Sequence, residues 1–213
     1  MKKTKRLIAL LLTVVLAFAL CLPAVAAVDA QSYVPATAGY LQAAVKSPTV
    51  SSIGGEWTVI ALARSGASVP EEYFRGYYAN VESYVKSCAG VLHEKKYTEY
   101  SRVVLALTAI GKDPRSVAGY DLLKPLGDYE KTVWQGINGP IFALIALDSG
   151  KYEVPASPQG AKQATRQMYV DKILASQLSD GGWALSGTGA DVDVTAMALT
   201  ALAPYRSQTG VQR

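Results

Sequence analysis

Four short segments of this chain are apolar on nearly every position, and longer stretches between them carry apolar residues only at helical spacing. The dense segments are EWTVIALARSG (Glu56–Gly66), SRVVLALTAIG (Ser101–Gly111), NGPIFALIALDSG (Asn138–Gly150) and DVTAMALTALAPY (Asp193–Tyr205). Each contains an Ala-Leu pair, and the alanines, Ala61, Ala106, Ala143 and Ala198, are 45, 37 and 55 residues apart. Periods of this size mark arrays of helical hairpins. A helix that is apolar all round is buried all round, so each dense segment reads as an inner helix. Each ends in Gly or Pro, which stop helices.

The stretches between them read as outer, amphipathic helices. Pro70–Leu92 carries Phe74, Tyr77, Val81, Tyr84, Val85 and Cys88 on one face. Ser68 and Glu71 are spaced as a capping box, with Pro70 in the first turn. Ala161–Leu178 presents Tyr169, Val170, Ile173, Leu174 and Gln177. Val117–Trp134 reads as two helical pieces broken at Pro125, and Glu153–Gly160 as a surface loop. No run alternates with period two, so the predicted class is all-α, built from about four helical hairpins.

The first residues change the picture of compartment. Lys2, Lys3, Lys5 and Arg6 precede an apolar run, Leu7–Leu22, then Pro23 and the small residues of Ala24-Val25-Ala26. This is the pattern of a secretory signal peptide over residues 1–27, with cleavage expected near Ala26 or Ala27. Residues 28–213 form the repeat domain, expected to be secreted or held at the cell surface. Later apolar runs are far shorter than the roughly 20 residues a membrane span needs. The formal net charge of +4 falls to about zero once the four n-region cations leave. No Lys/Arg cluster remains, which argues against nucleic acid as a partner. Cys88 is the one cysteine after the signal and His93 the one histidine. That supply is too small for a disulfide or an ordinary zinc site, so no metal is expected, and no particular cofactor is assigned.

Candidate chemistry is concentrated near the C-terminus, in Asp191-Val-Asp193-Val194-Thr195-Ala196. Aligned on the Ala-Leu pairs, Asp193 takes the position of Glu56, Ser101 and Asn138. Ser, Asn and Asp are preferred helix N-caps, so Asp193 reads first as a cap. A cap sits in a positive helix-end field, which favours carboxylate over carboxylic acid. The alternative is an acid pair, Asp193 and Asp191, placed for chemistry. Asp191 aligns with Glu99 and is not covered by the cap argument. If the inner helices share polarity, Glu99, Tyr100, Arg102 and Asp191 are candidates for a ligand-binding rim. The plainer reading of Glu99 and Arg102 is a surface ion pair at i,i+3. Ahead of the acids, Gln177-Leu-Ser-Asp-Gly181-Gly182-Trp183 reads as a structural turn. Gln177 can bond the turn backbone, the two glycines reverse the chain, and Trp183 clamps it.

These two motifs resemble those of the squalene–hopene cyclase and protein prenyltransferase superfamily. Gln177–Trp183 is similar to the tail of the cyclases' Q-x3-G-x-W repeat. Asp191–Ala196 is similar to their D-x-D-D-T-A motif, with Val194 in place of its last acid. Thr98–Pro114 and Gln135–Gly150 resemble the exported bacterial branch that carries prenyltransferase/squalene-oxidase repeats. The resemblance covers roughly Gly54–Tyr205 and implies an α/α toroid. About four hairpins, against five or six in a closed toroid, imply an open ring or one left incomplete by truncation at the C-terminus.

By the same resemblance, Asp193 would be the proton donor of a class II terpene cyclase. The segment VDVTAMALTAL also looks like intrinsic factor and transcobalamin, which implies a cobalamin-binding toroid as a third reading. Zinc-dependent prenyl transfer needs Cys and His ligands that the C-terminal repeat lacks. The leading expectation is a non-catalytic module binding a small hydrophobic molecule, a cofactor or a cell-envelope partner.

Overall fold

Eight α-helices and no β-strand form among residues 29–52 and 54–211, which the computed structural model describes. The chain is all-α. The described residues fall into two units that divide after Val34. In the first, Asp29 accepts the Gln31 N–H and caps a 3-10 turn, Ala30–Tyr33. The expected signal peptide lies outside the described residues. No described helix is long and apolar enough to cross a membrane.

The helices are α1 (Val34–Ala44), α2 (Glu56–Arg64), α3 (Glu71–Ser87), α4 (Thr98–Ala109), α5 (Tyr129–Val133), α6 (Asn138–Ser149), α7 (Arg166–Leu174) and α8 (Val192–Leu202). The four Ala-Leu segments are α2, α4, α6 and α8. They form a central row in chain order, α2 against α4, α4 against α6 and α6 against α8. Side-chain bonds at both ends give the row its polarity. Arg102 of α4 faces Glu56 at the start of α2, and Gln135, just before α6, accepts from the Thr98 N–H at the start of α4 at 3.1 Å. At the other end Thr108 and Tyr152 share a hydrogen bond of 2.9 Å, and the Tyr205 hydroxyl donates to Asp148. The four helices therefore run parallel, with their N-termini on one rim.

Burial explains why the row holds. Val103, Val104, Ala106 and Leu107 of α4 and Ile141, Ala143, Leu144, Ala146 and Leu147 of α6 are all fully buried. Alanine at the shared position lets neighbouring helices approach, and the leucine beside it fills the space between them. From the flanking helices, Tyr77, Val81 and Val85 of α3 and Tyr169, Val170 and Ile173 of α7 enter the same core.

Two flanking helices differ from the sequence expectation. No side chain caps α3, whose N-cap is Pro70, and it ends at Ser87 rather than Leu92. Ala89 and Gly90 turn to φ of 50° and 80°, and the Gly90 N–H closes the helix on the Val85 carbonyl. The second, α7, is half the expected length. Residues 162–164 are instead held extended, by the bonds Tyr129 N–H to Lys162 O and Ala164 N–H to Gly127 O. Thr165 then caps the helix through the Met168 N–H. At the far end the Trp183 indole N–H donates to the Ile173 carbonyl, the acceptor that a further helical turn would use.

Candidate functional site

On the N-terminal rim, a cluster of charge is enclosed between α2, α3 and α4. Glu56 is 1% exposed, although it begins a helix. Its carboxylate accepts the Ser51 N–H at 2.8 Å. Arg102 lies 3.9 Å from the other oxygen of Glu56, and its guanidinium donates to Glu99. The Ser51 hydroxyl donates to the same Glu99 carboxylate. Burial pushes the Glu56 carboxyl above its ordinary value of 4.5, against the hydrogen bonds from backbone and the charge of Arg102. Glu99 adds to the rise through like charge.

Three buried polar atoms among the described residues have no hydrogen-bond partner, and all three belong to this rim. They are the Tyr77 hydroxyl, Arg102 Nε and Asn138 Oδ1. The Tyr77 phenol is held neutral by burial first, and then by the negative charge of Glu56. Orphaned polar groups are uncommon in folded proteins, and their grouping at one end of the row makes it a candidate site. Chemically, the cluster can hold a proton on Glu56 and offer Tyr77 and Arg102 as donors. Among the described residues no group of three or more His, Cys, Asp and Glu is assembled to hold a metal.

The cap assignment is corrected. Asp191, not Asp193, is the N-cap of α8, accepting the Val194 N–H at 2.9 Å. Asp193 lies exposed in the first turn, without the apolar enclosure that a proton-donating carboxyl needs. Neither do its counterparts cap: Glu56 and Asn138 are first helical residues, and Ser101 is buried in the fourth position of α4. Alignment on the Ala-Leu pairs keeps side-chain phase, but each helix starts where its own loop releases it.

The expected rim is brought together in part. Glu99 and Arg102 pair on it, whereas Asp191 spends its carboxylate on its own helix. Tyr100 belongs to the core and also borders a cleft beside Tyr97. It is buried, and its hydroxyl accepts the Leu92 N–H from the loop after α3. Glu56 and Tyr77 were not among the sequence candidates. The available signal was that Glu56 fits the cap series badly, being a long acid in a row of short polar side chains.

The turn before α8 is a network of bonds between two hairpins. The Gln177 amide donates to the Gly181 carbonyl at 2.7 Å. Gly181 has φ of +89°, and a Cβ on Gly182 would collide with that of Ala190. The buried Trp183 donates through its indole to Ile173, and its backbone N–H donates to the Thr195 hydroxyl on α8. Asp180 accepts from the Gly182 and Ala190 N–H groups, which lowers its pKa. The lone histidine is likewise engaged by backbone, its Nδ1 accepting from the Lys95 and Lys96 N–H groups.

Along the row, the residue before each shared alanine is large, apolar and half-buried: Ile60, Leu105, Phe142 and Met197. Ile60 and Leu105 line a depression of about 230 Å³ with Arg64, Thr108 and Ser149. Trp57 of α2 meets Phe142 of α6 with ring centroids 5.8 Å apart, although α4 lies between those helices in the row. The two rings thus meet across α4 on this face. A larger cleft of about 360 Å³ lies between loops and the starts of α4 and α5, with Tyr97, Tyr100 and Tyr120 beside Glu94, Asp121, Lys124 and Lys131. Its charges are of both signs, and no repeat face builds it. Comparison with family models, with curated proteins and with solved structures gives no match to this chain.

Proposed function

We propose that this chain is an exported helical-repeat binding module of the α/α-toroid kind, whose repeat face takes a small hydrophobic molecule or an apolar segment of a cell-envelope partner. One observation carries the reading: four repeats place a half-buried apolar side chain, Ile60, Leu105, Phe142 and Met197, at the same position. An apolar patch that continues along one face of a protein marks an interaction site, whereas single exposed apolar residues do not. Trp57, 46% exposed at the edge of this face, supplies the aromatic wall that binding sites use. Titration with squalene, with shorter polyprenols and with an environment-sensitive apolar dye, followed by tryptophan fluorescence, tests it. Binding should be saturable, and Phe142→Asp should weaken it at least about tenfold. Equal binding by wild type and Phe142→Asp would remove the reading.

A catalytic reading has one observation in its favour, the buried Glu56 with its raised pKa beside Arg102 and Tyr77. An acid of this kind could protonate an alkene, as a class II cyclase does. Incubation with the same polyprenyl substrates should then give cyclised product that Glu56→Gln abolishes and Asp193→Asn leaves. Absence of product from the wild-type protein excludes it.

A further inference from the structure

The two residues of each Ala-Leu pair differ in exposure along the row in a regular way. Ala106, Ala143 and Ala198 are fully buried, whereas Ala61 of the first central helix is exposed. The leucines behave in the opposite sense. Leu62, Leu107 and Leu144 are buried, whereas Leu199 of the last central helix is 57% exposed. The alanine side of each helix thus meets the preceding helix of the row, and the leucine side meets the next one.

The N-terminal part of the leucine face obeys the same rule. Val192, Ala196 and Leu199 form a stripe at i, i+4 and i+7 on α8, all exposed, with Val192 at 84%. The residues at the positions of Val192 and Ala196 are Tyr100 and Val104 on α4, and Ile137 just before α6 and Ile141 on it, and all four are buried. On α2 the open side carries Ala61 between Trp57 and Arg64. Among the described residues, the row therefore shows an uncovered leucine face at one end and an uncovered alanine face at the other. Neither stripe carries a charge at its centre.

We infer that the leucine face of α8 docks on the alanine face of α2 in a second copy of this chain. The contact would continue, between molecules, the seam that joins α2 to α4, α4 to α6 and α6 to α8. The occupant is argued from that seam: three times within the chain, this leucine face is covered by the alanine side of a parallel central helix. A contact of this kind is heterologous, using different surfaces on the two copies, so it propagates head to tail or closes into a ring. It is one helix wide, well below the area of a stable interface, so the association is weak and concentration-dependent. Trp57 borders both this seam and the repeat face, so docking is distinguished from ligand binding by Leu199→Glu, which lies at the other end of the row.

Sedimentation velocity of the purified protein from micromolar to near-millimolar concentration tests it. The expected result is a rise in mean mass with concentration. Leu199→Glu and Ala61→Glu should each abolish the rise without lowering the melting temperature, because both side chains are exposed in the monomer. Mixed in equal amounts, the two variants should form a 1:1 dimer that grows no further, since one retains a working α8 face and the other a working α2 face. Self-association of Ala61→Glu alone, as expected of α8 pairing with α8, would overturn the inference. So would a wild-type protein that stays monomeric throughout, as expected if the faces serve a different protein.

Discussion

At the start of α8, the Asp191 carboxylate accepts the Val194 N–H, while Asp193, two residues on, is exposed. Loss of an N-cap oxygen costs about 1 kcal/mol, whereas a change at an exposed first-turn residue costs about 0.5 kcal/mol or less. Urea denaturation should therefore separate Asp191→Ala, clearly destabilised, from Asp193→Asn, close to wild type. Glu56 gives a pH prediction. Its folded-state pKa is raised above 4.5, so between the two values the native state holds more protons than the unfolded one. Stability from this group is greatest at low pH and falls as pH rises from about 4.5 through the raised folded value. Glu56→Gln should flatten that fall when denaturation midpoints are compared across this interval. Its failure to do so would mean that Arg102 neutralises the carboxylate more completely than burial opposes it.

Equivalent residues in different helices test how the elements are held. Leu144 and Leu199 occupy the same position of α6 and α8, but the first is buried and the second 57% exposed. Truncating a buried leucine costs about 2–5 kcal/mol, so Leu144→Ala should lower the denaturation midpoint sharply. Leu199→Ala in dilute protein should change stability by no more than about 0.5 kcal/mol. A large effect at Leu199 would show its face covered within one molecule. The central helices were legible in the sequence because a row buried on several sides leaves dense apolar segments. The ends of the flanking helices were not. At α7 a backbone pairing with residues 127–129, over thirty residues away, and the Trp183 indole hold groups that helical propensity would have used.

Across the whole row, burial is greatest in the middle. Among the described residues, central helices α4 and α6 have a central neighbour on each side, whereas α2 and α8 each have one. In repeat arrays the interfaces between neighbours supply much of the stability, and end repeats open first. Native-state hydrogen exchange should accordingly find the amides of α4 and α6 the most protected, with α8 exchanging faster. Equal protection of α8 and α6 in dilute protein would contradict this order. The same unevenness concentrates polar strain on the rim, where Tyr77, Arg102 and Asn138 carry unpartnered buried atoms.

The amino-acid sequence by itself determined the all-α class, the four central helices, their shared Ala-Leu phase and the turn at Gln177–Trp183. These arise from local periodicity and backbone chemistry, which act over a few residues and can be read along the chain. Only the tertiary structure decided that Asp191 rather than Asp193 is the cap, that Tyr100 is core, and that Glu56 is enclosed beside Arg102 and Tyr77. Those outcomes depend on where each loop releases its helix and on which side chains of different helices share an enclosed volume. Burial and charge proximity are properties of that volume, and no spacing within one segment encodes them.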